Sequence, residues 1–265
     1  CDNPTGLIGD PYVGKKYGEI WGYKVDGLFR NDKEAAEYAS RIDLSTVASG
    51  YYTATGAYGK GVRGGDIKYL DLNGGKGTLD DPGDRRVIGN SSPRYQYGAS
   101  LNFSWYGFDV SVFMQGIGRL DWYPGADNLR FWGPYCRPYA TFVPKNFMSQ
   151  VWSEENPDAY FPRARAYTSL NSNSGTAYYT NDRYLQNLAY CRLKNLTIGY
   201  TIPRRLTSKV GIKECRIYFS GENLATWSAL KSDFLDPEQA AADSDKKANV
   251  YPWCKTYSIG LNLTF

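Results

Sequence analysis

Histidine is absent from all 265 residues of this chain. Its absence removes the commonest general base and every histidine-based triad or metal site. Cysteine is scarce and scattered. Cys1, Cys136, Cys191, Cys215 and Cys254 include no CxxC pair, so the spacing of a structural zinc site is missing, and the odd count leaves at least one thiol unpaired within the chain. No run of about 18 apolar residues occurs, which excludes a transmembrane helix but leaves a membrane barrel open, because barrels cross with alternating strands. Strong charge of one sign is also lacking. Thirty-one basic against 27 acidic residues leave a net charge of +4, no basic run stands out, and a nucleic-acid partner is not indicated.

Aromatic residues are abundant: 16% of the chain, with 24 tyrosines. That usage suits aromatic girdles or a carbohydrate-contacting surface. The clearest pattern lies at residues 255–265. Tyr257, Ile259, Leu261, Leu263 and Phe265 alternate with Ser258, Gly260, Asn262 and Thr264. On a strand successive side chains point to opposite faces, so one face is apolar and the other small or polar. Residues 99–115 repeat the pattern. Ala99, Leu101, Phe103 and Trp105 lead to a turn at Gly107, then Phe108, Val110, Val112 and Met114 follow at every second position. Leu196, Ile198, Tyr200 and Ile202 mark a third strand, and residues 216–224 a fourth. Alternating strands joined by tight turns at one end and long loops at the other fit a wall with lipid on one side and water on the other.

Between the strands the sequence is more varied. Residues 17–29 read as one strand interrupted by glycines, and residues 32–42 as a short helix capped by Asp32. Phe147 to Glu155 reads as one or two helical turns within a long loop. Asp71 and Asn73, followed by glycines, match the opening of a calcium loop. Gly75 stands where a third oxygen ligand belongs, and Asp80, Asp81 and Asp84 are the carboxylates placed to compensate. The other reading is a solvated acidic turn. The loop near residues 119–145 carries Trp122, Tyr123, Arg130, Trp132 and Tyr135, the composition of a substrate- or partner-contacting surface; the alternative is that these rings pack the loop on itself. Cys191 and Cys215 fall on adjacent strands, where bonding depends on register. Cys1-Asp2-Asn3-Pro4 resembles the start of a mature lipoprotein, although a fragment that begins at cysteine is the preferred expectation.

Several stretches, in order, resemble the C-terminal part of SusC/RagA-type TonB-linked outer-membrane proteins. They are Gly18-Glu-Ile-Trp-Gly-Tyr-Lys-Val-Asp-Gly-Leu-Phe29, Ile88-Gly-Asn-Ser-Ser-Pro-Arg-Tyr95, Gly107-Phe-Asp-Val-Ser-Val-Phe-Met-Gln-Gly116, Trp152-Ser-Glu-Glu-Asn-Pro157, Phe161-Pro-Arg163, Tyr190-Cys-Arg-Leu-Lys-Asn-Leu-Thr-Ile-Gly-Tyr-Thr-Ile-Pro203, Asp236-Pro-Glu238 and the closing strand. The resemblance covers essentially residues 1–265. It implies an all-β, antiparallel transmembrane β-barrel in the outer membrane of a Gram-negative bacterium, with long extracellular loops. This chain would supply roughly eight strands of a 22-stranded wall, with the plug domain and early strands carried elsewhere.

The implied function is active import of glycans or oligosaccharides, in some members of the family peptides, and not catalysis. The implied partners are the rest of the barrel and plug, a SusD-like surface lipoprotein, the TonB complex and outer-membrane lipid. No cofactor is required beyond the calcium that Asp71, Asn73 and Asp80 would hold. Asn195, Thr197, Ser258, Asn262 and Thr264 would line the lumen, and loops 119–145 and 228–252 would meet substrate or lipoprotein. A passive porin-type barrel and a soluble aromatic-rich carbohydrate-binding domain are the competing readings. A glycosidase is the weakest, since no carboxylate spacing points to one.

Overall fold

Period-two alternation becomes five long antiparallel strands. The computed structural model describes residues 8–44, 46–47, 62–73, 79, 83–136, 143, 145–165, 170, 177–232, 235–242 and 253–265. The chain divides into two compact units, the first built from Cys1–Ser92, Asp121–Gln186 and Asp243–Asn249, the second from Pro93–Leu120, Asn187–Ala242 and Val250–Phe265.

In the first unit, β1 (Glu19–Gly22) pairs with β4 (Arg86–Asn90), and β2 (Val25–Leu28) pairs with β3 (Ile67–Tyr69). The single strand expected over residues 17–29 is therefore two. It breaks at Tyr23 because the backbone there turns to another partner: the Tyr23 N–H donates to the Thr180 carbonyl at 2.9 Å, and the Asp182 N–H donates to the Tyr23 carbonyl at 3.2 Å. Helix α1 (Asp32–Arg41) follows. Its cap is Asn31, not Asp32. Asn31 Oδ1 accepts from the Glu34 N–H at 2.9 Å, and Glu34 reaches back to the Arg30 N–H at 2.8 Å, a reciprocal arrangement that satisfies two N-terminal donors. Asp32 sits one residue inside the helix.

The expected turns near Phe147 appear as a 3₁₀ helix, Met148–Gln150, followed by a bridge between Val151 and Phe161. A single helical turn, α2 (Leu129–Trp132), is capped by Asn128, whose side chain accepts from the Phe131 N–H at 2.9 Å.

The second unit is one open sheet. Strands β5 (Arg94–Trp105), β6 (Phe108–Arg119), β7 (Tyr190–Thr201), β8 (Glu214–Ser228) and β9 (Thr256–Thr264) lie in the order β9-β8-β7-β6-β5. Every neighbouring pair is antiparallel. Roughly eight wall strands were expected; the described residues hold five in this sheet, and no closed barrel. The β5–β6 turn has only Tyr106 and Gly107 at its centre, with φ of 48° and 87°. Two positive φ values are what a two-residue hairpin turn needs to match strand twist, and glycine accepts one without strain. At the same end, helix α3 (Arg204–Thr207) and a 3₁₀ turn (Ser208–Val210) link β7 to β8. The long connections, 120–189 and 229–255, leave from the opposite end, and the second contains helix α4 (Pro237–Ala242).

The register also separates the two cysteines expected on adjacent strands. Cys191 lies opposite Trp227, whereas Cys215 lies opposite Leu263 at the other end of β8. Twelve residues of strand set them roughly 40 Å apart, far beyond disulfide reach. Cys136, Cys191, Cys215 and Cys254 are all free thiols; Cys1 lies outside the described residues.

Candidate functional site

The ladders assign every strand residue of the second unit to one of two faces. One carries Leu101, Phe103 and Trp105 from β5, Phe108, Val110 and Val112 from β6, and Leu196, Ile198 and Tyr200 from β7. Ile217 and Phe219 from β8 and Tyr257, Ile259, Leu261 and Leu263 from β9 complete it. Among the described residues nothing covers this face. Phe103 is 62% exposed, Leu101 67% and Ile259 83%. A contiguous apolar surface across five strands is far larger than an isolated soluble domain presents to water.

The rings on this face are not uniformly spread. Trp105, Phe108 and Tyr200 gather at the short-turn end, with Phe108 and Tyr200 centroids 4.5 Å apart. Tyr97 and Trp227 lie level at the other, and the interval holds mostly aliphatic side chains with Phe103, Phe219 and Tyr257 among them. From Tyr97 to Trp105 the strand rises about 27 Å. Tilted by about 35–45° as barrel strands are, that length projects to about 19–22 Å, close to the apolar band of about 25 Å between two interfacial girdles.

The opposite face is polar. Asn195, Thr197, Ser258, Asn262 and Thr264, expected to line a lumen, all lie on it. Asp109 and Arg216 meet there across β7. Arg216 Nε donates to Asp109 Oδ1 at 2.9 Å, and Arg216 Nη2 donates to Asp109 Oδ2. The pair spans Gly199, where an added Cβ would stand 2.5 Å from Asp109 Oδ1 and 2.6 Å from Arg216 Nη2. Only glycine leaves room for the bridge.

A second polar cluster depends on a break in alternation. In β7, Lys194 and Asn195 together oppose the single residue Phe113, so the register slips between Phe113 and Met114. This is a β-bulge, and it re-aims the residues beyond it. Leu193 and Cys191 join the apolar face, and Arg192 turns to the polar one. Arg192 is 2% exposed. Its Nε donates to Thr226 Oγ1 at 2.9 Å, Nη1 to Glu238 Oε2 at 2.6 Å, and Nη2 to Asp236 Oδ2 at 2.5 Å. Lys194 and Gln115 also donate to Glu238, at 2.9 and 3.2 Å. Asp236 Oδ1 accepts the N–H groups of Glu238 and Gln239, fixing the start of α4. The Asp236-Pro-Glu238 motif thus holds α4 against the polar face of the sheet through one planar guanidinium. Residue types alone did not reveal this cluster; the signal was the parity break at Lys194 within an otherwise regular strand.

The expected contact residues lie in the first unit. Trp122, Tyr123, Trp132 and Tyr135 are buried, 6%, 8%, 1% and 2% exposed, while Arg130 is exposed. Around Phe161 the rings of Tyr135, Phe147, Tyr160 and Tyr184 stand 4.9–6.1 Å away, centroid to centroid, and Trp132 lies 5.0 Å from Tyr184. Tyr135 donates to the Pro162 carbonyl at 2.6 Å and Trp132 Nε1 to the Gly125 carbonyl at 3.0 Å. Burial pushes the hydroxyls of Tyr123, Tyr135 and Tyr184 upward and that of Tyr160 up to about 12, so these phenols stay protonated.

The buried Asp66 is pushed upward by desolvation, against the pull of Arg165, whose Nη2 lies 2.7 Å away. A polar cleft of about 310 Å³ is lined by Asp26, Glu34, Lys68, Asp158 and Arg183 among others. In it Lys68 Nζ joins Asp26 at 2.9 Å and Glu34 at 3.1 Å.

Of the three residues expected to hold calcium, Asp71 accepts from the Asn73 N–H at 3.3 Å, a local turn, and Asp80 lies outside the described residues. Nearby, buried Asp84 accepts from the Leu72 N–H at 2.6 Å. Among the described residues no group of three or more cysteine, aspartate or glutamate side chains converges to hold a metal. Arg137, Tyr139, Phe142 and Asp233, also in the loops expected to meet a ligand, lie outside the described residues.

Known proteins resemble the chain along most of its length. It is 29% identical to TonB-dependent receptor P26 of Formosa agariphila over 209 residues, 76% of this chain. With TonB-dependent receptor P3 of the same organism it shares 25% over 261 residues, 95% of this chain. The aligned parts are 20% and 22% of those two proteins, so the chain spans about a fifth of their length. No family model matches. Among solved structures, the RagAB peptide importer in its open-open state matches 98% of this chain and 25% of its own, with a TM-score of 0.56 and 18% identity. A structure of the RagAB peptide transporter matches 93% of this chain and 22% of its own, at a TM-score of 0.57 and 19% identity. At such identity these last two establish likeness of fold.

Proposed function

We propose that this stretch of a TonB-dependent receptor of the SusC/RagA type forms part of an outer-membrane barrel wall, and that the whole receptor imports its substrate actively. One observation carries the reading: the five-stranded sheet has an exposed apolar face belted by aromatic rings at both ends and a polar, ion-paired face behind it. Lipid on one side and an aqueous lumen on the other account for both faces. Among the described residues nothing pairs with the outer edges of β5 and β9, whose backbone groups must pair inside a bilayer, so further strands of the same receptor complete the wall around its plug. A SusD-like surface lipoprotein and the TonB complex are its further partners.

Transport, not catalysis, is the chemistry these groups support: fixed ion pairs and hydroxyls facing a lumen, with the phenols locked in their protonated form. Peptide is the favoured cargo, because the RagAB structures matching this fold are described as peptide importers. Oligosaccharide is the other class that a polar, aromatic-rich protein accepts. Substrate or partner contact by Trp122, Tyr123, Arg130, Trp132 and Tyr135 falls to exposed Arg130 first. Contact by the four buried rings would require the loop that carries them to open. Asp71, Asn73 and Asp80 are the residues that would hold a calcium ion.

The test is uptake by cells carrying the full-length receptor, offered mixed oligopeptides and mixed oligosaccharides, with TonB present or deleted. Accumulation of one pool that requires TonB supports the reading and names the substrate class. Uptake that persists without TonB would favour the passive porin, and recovery of the receptor as a soluble protein without detergent would favour the binding domain.

A further inference from the structure

The turn between β7 and β8 carries charge and apolar surface that neither the sheet nor the lumen uses. Arg204, Arg205, Lys209 and Lys213 are all exposed, and residues 202–213 include no acidic side chain. Among the described residues none of the four enters an ion pair, whereas Arg192, Lys194 and Arg216 on the strands of the same unit do. Leu206 and Val210 are 60% and 71% exposed. They stand four residues apart, on one side of the α3 and 3₁₀ turns. Buried Thr207 and a backbone bond from the Ile212 N–H to the Thr207 carbonyl, 3.2 Å, hold the turn in shape.

Its position gives the arrangement a meaning. The turn sits at the end of the sheet where Trp105, Phe108 and Tyr200 form an aromatic belt. Lys213 occupies the register position that continues the apolar set Cys215, Ile217 and Phe219. Exposed aliphatic side chains beside unpaired cations, next to an interfacial belt, are the composition of a segment lying in the headgroup layer. We propose that residues 203–213 dock on anionic glycerophospholipid headgroups of the leaflet bordering the short-turn end. Arg204, Arg205, Lys209 and Lys213 meet the phosphates, and Leu206 and Val210 enter the acyl boundary. This rests on the reading of the apolar sheet face as lipid-facing. Charge complementarity and continuity with that face select lipid over a soluble acidic protein.

The test uses the full-length receptor carrying this stretch, purified in detergent and weighed intact by native mass spectrometry after exposure to phosphatidylglycerol or phosphatidylcholine. The wild type is expected to retain phosphatidylglycerol preferentially. The triple variant Arg204→Gln, Arg205→Gln, Lys209→Gln is expected to lose that preference by about a hundredfold, the sum over three basic residues near an anionic surface. Arg204→Lys with Arg205→Lys is expected to keep it.

A label at Ile259, read for quenching by brominated acyl chains in bilayers, runs on the same samples. Quenching in wild type and triple variant with equal phosphatidylglycerol retention overturns the docking proposal and leaves the barrel reading intact. An unquenched label in the wild type overturns both. Equal retention of the two lipids by the wild type, or loss of lipopolysaccharide phosphates rather than phosphatidylglycerol in the variant, also overturns the assignment.

Discussion

Gly199 shows how much one missing Cβ decides. The Asp109–Arg216 bridge crosses the strand between its partners, and a side chain at 199 would stand in its path. Gly199→Val is therefore expected to destabilise the receptor by about 1–3 kcal/mol through overpacking and loss of the bridge. In the Asp109→Asn, Arg216→Gln background the same substitution should cost measurably less. Thermal unfolding of the four proteins checks the coupling; equal cost in both backgrounds would contradict it. Asn31 is the second such residue. Replacing it with alanine removes the acceptor for the Glu34 N–H and should cost about 1 kcal/mol of helix stability, read as faster amide exchange through α1. At this scale the sequence reading placed the cap one residue late, because Asn31 and Asp32 are both good caps and only backbone geometry separates them: Asn31 is extended, with φ of −156°.

Among the elements, α4 is tied to the sheet chiefly by the buried Arg192, with Lys194 and Gln115 beside it. Removing one partner of a buried ionic cluster leaves the others uncompensated, so Arg192→Ala is expected to cost about 3–5 kcal/mol and to release residues 235–242 to proteolysis. Arg192→Lys keeps the charge but not the planar fork, and should give an intermediate loss.

Helix α1 answers to pH. Burial of Glu34 opposes its ionisation, but hydrogen bonds from the Arg30 N–H and Lys68 outweigh it and leave its pKa below the ordinary 4.5. Lys68 is raised above 10.5, first by its hydrogen bond to Asp26. The Glu34 contribution is thus present above pH 4.5 and lost as pH falls through its lowered value. The Lys68 contribution is complete below pH 10.5 and lost as pH rises through its raised value. Exchange protection of α1, corrected for intrinsic rates, should hold between these limits and weaken outside them. Constant protection from pH 7 down to 3 would contradict the assignment.

The strands at 94–119 and 256–264 were legible because a two-residue period survives any register. The break at Tyr23 was not, since it is made by a backbone partner near residue 180. Nor was the Arg192 cluster, because a bulge reverses which face a residue meets without altering composition.

For the whole molecule, the two faces of the sheet followed directly from alternation, a pattern that a soluble sandwich shares; the exposure of the apolar face among the described residues needed the structure. The belts of rings at its two ends needed the ladders, which bring Trp105, Phe108 and Tyr200 level although they lie on three strands. The dense aromatics of residues 122–135 fitted a contact surface and core packing equally well by composition; the structure buries Trp122, Tyr123, Trp132 and Tyr135 and leaves Arg130 exposed.

The measurement closest to the central claim is accessibility along β9. Single nitroxides placed in turn at positions 257–264 of the full-length receptor in bilayers report collisions with oxygen, which concentrates in lipid, and with a water-soluble nickel chelate. The account predicts alternation with period two: oxygen at 257, 259, 261 and 263, nickel at 258, 260, 262 and 264. Equal nickel access at odd and even positions would contradict a lipid-facing wall and, with it, the reading of this sheet as part of an outer-membrane barrel.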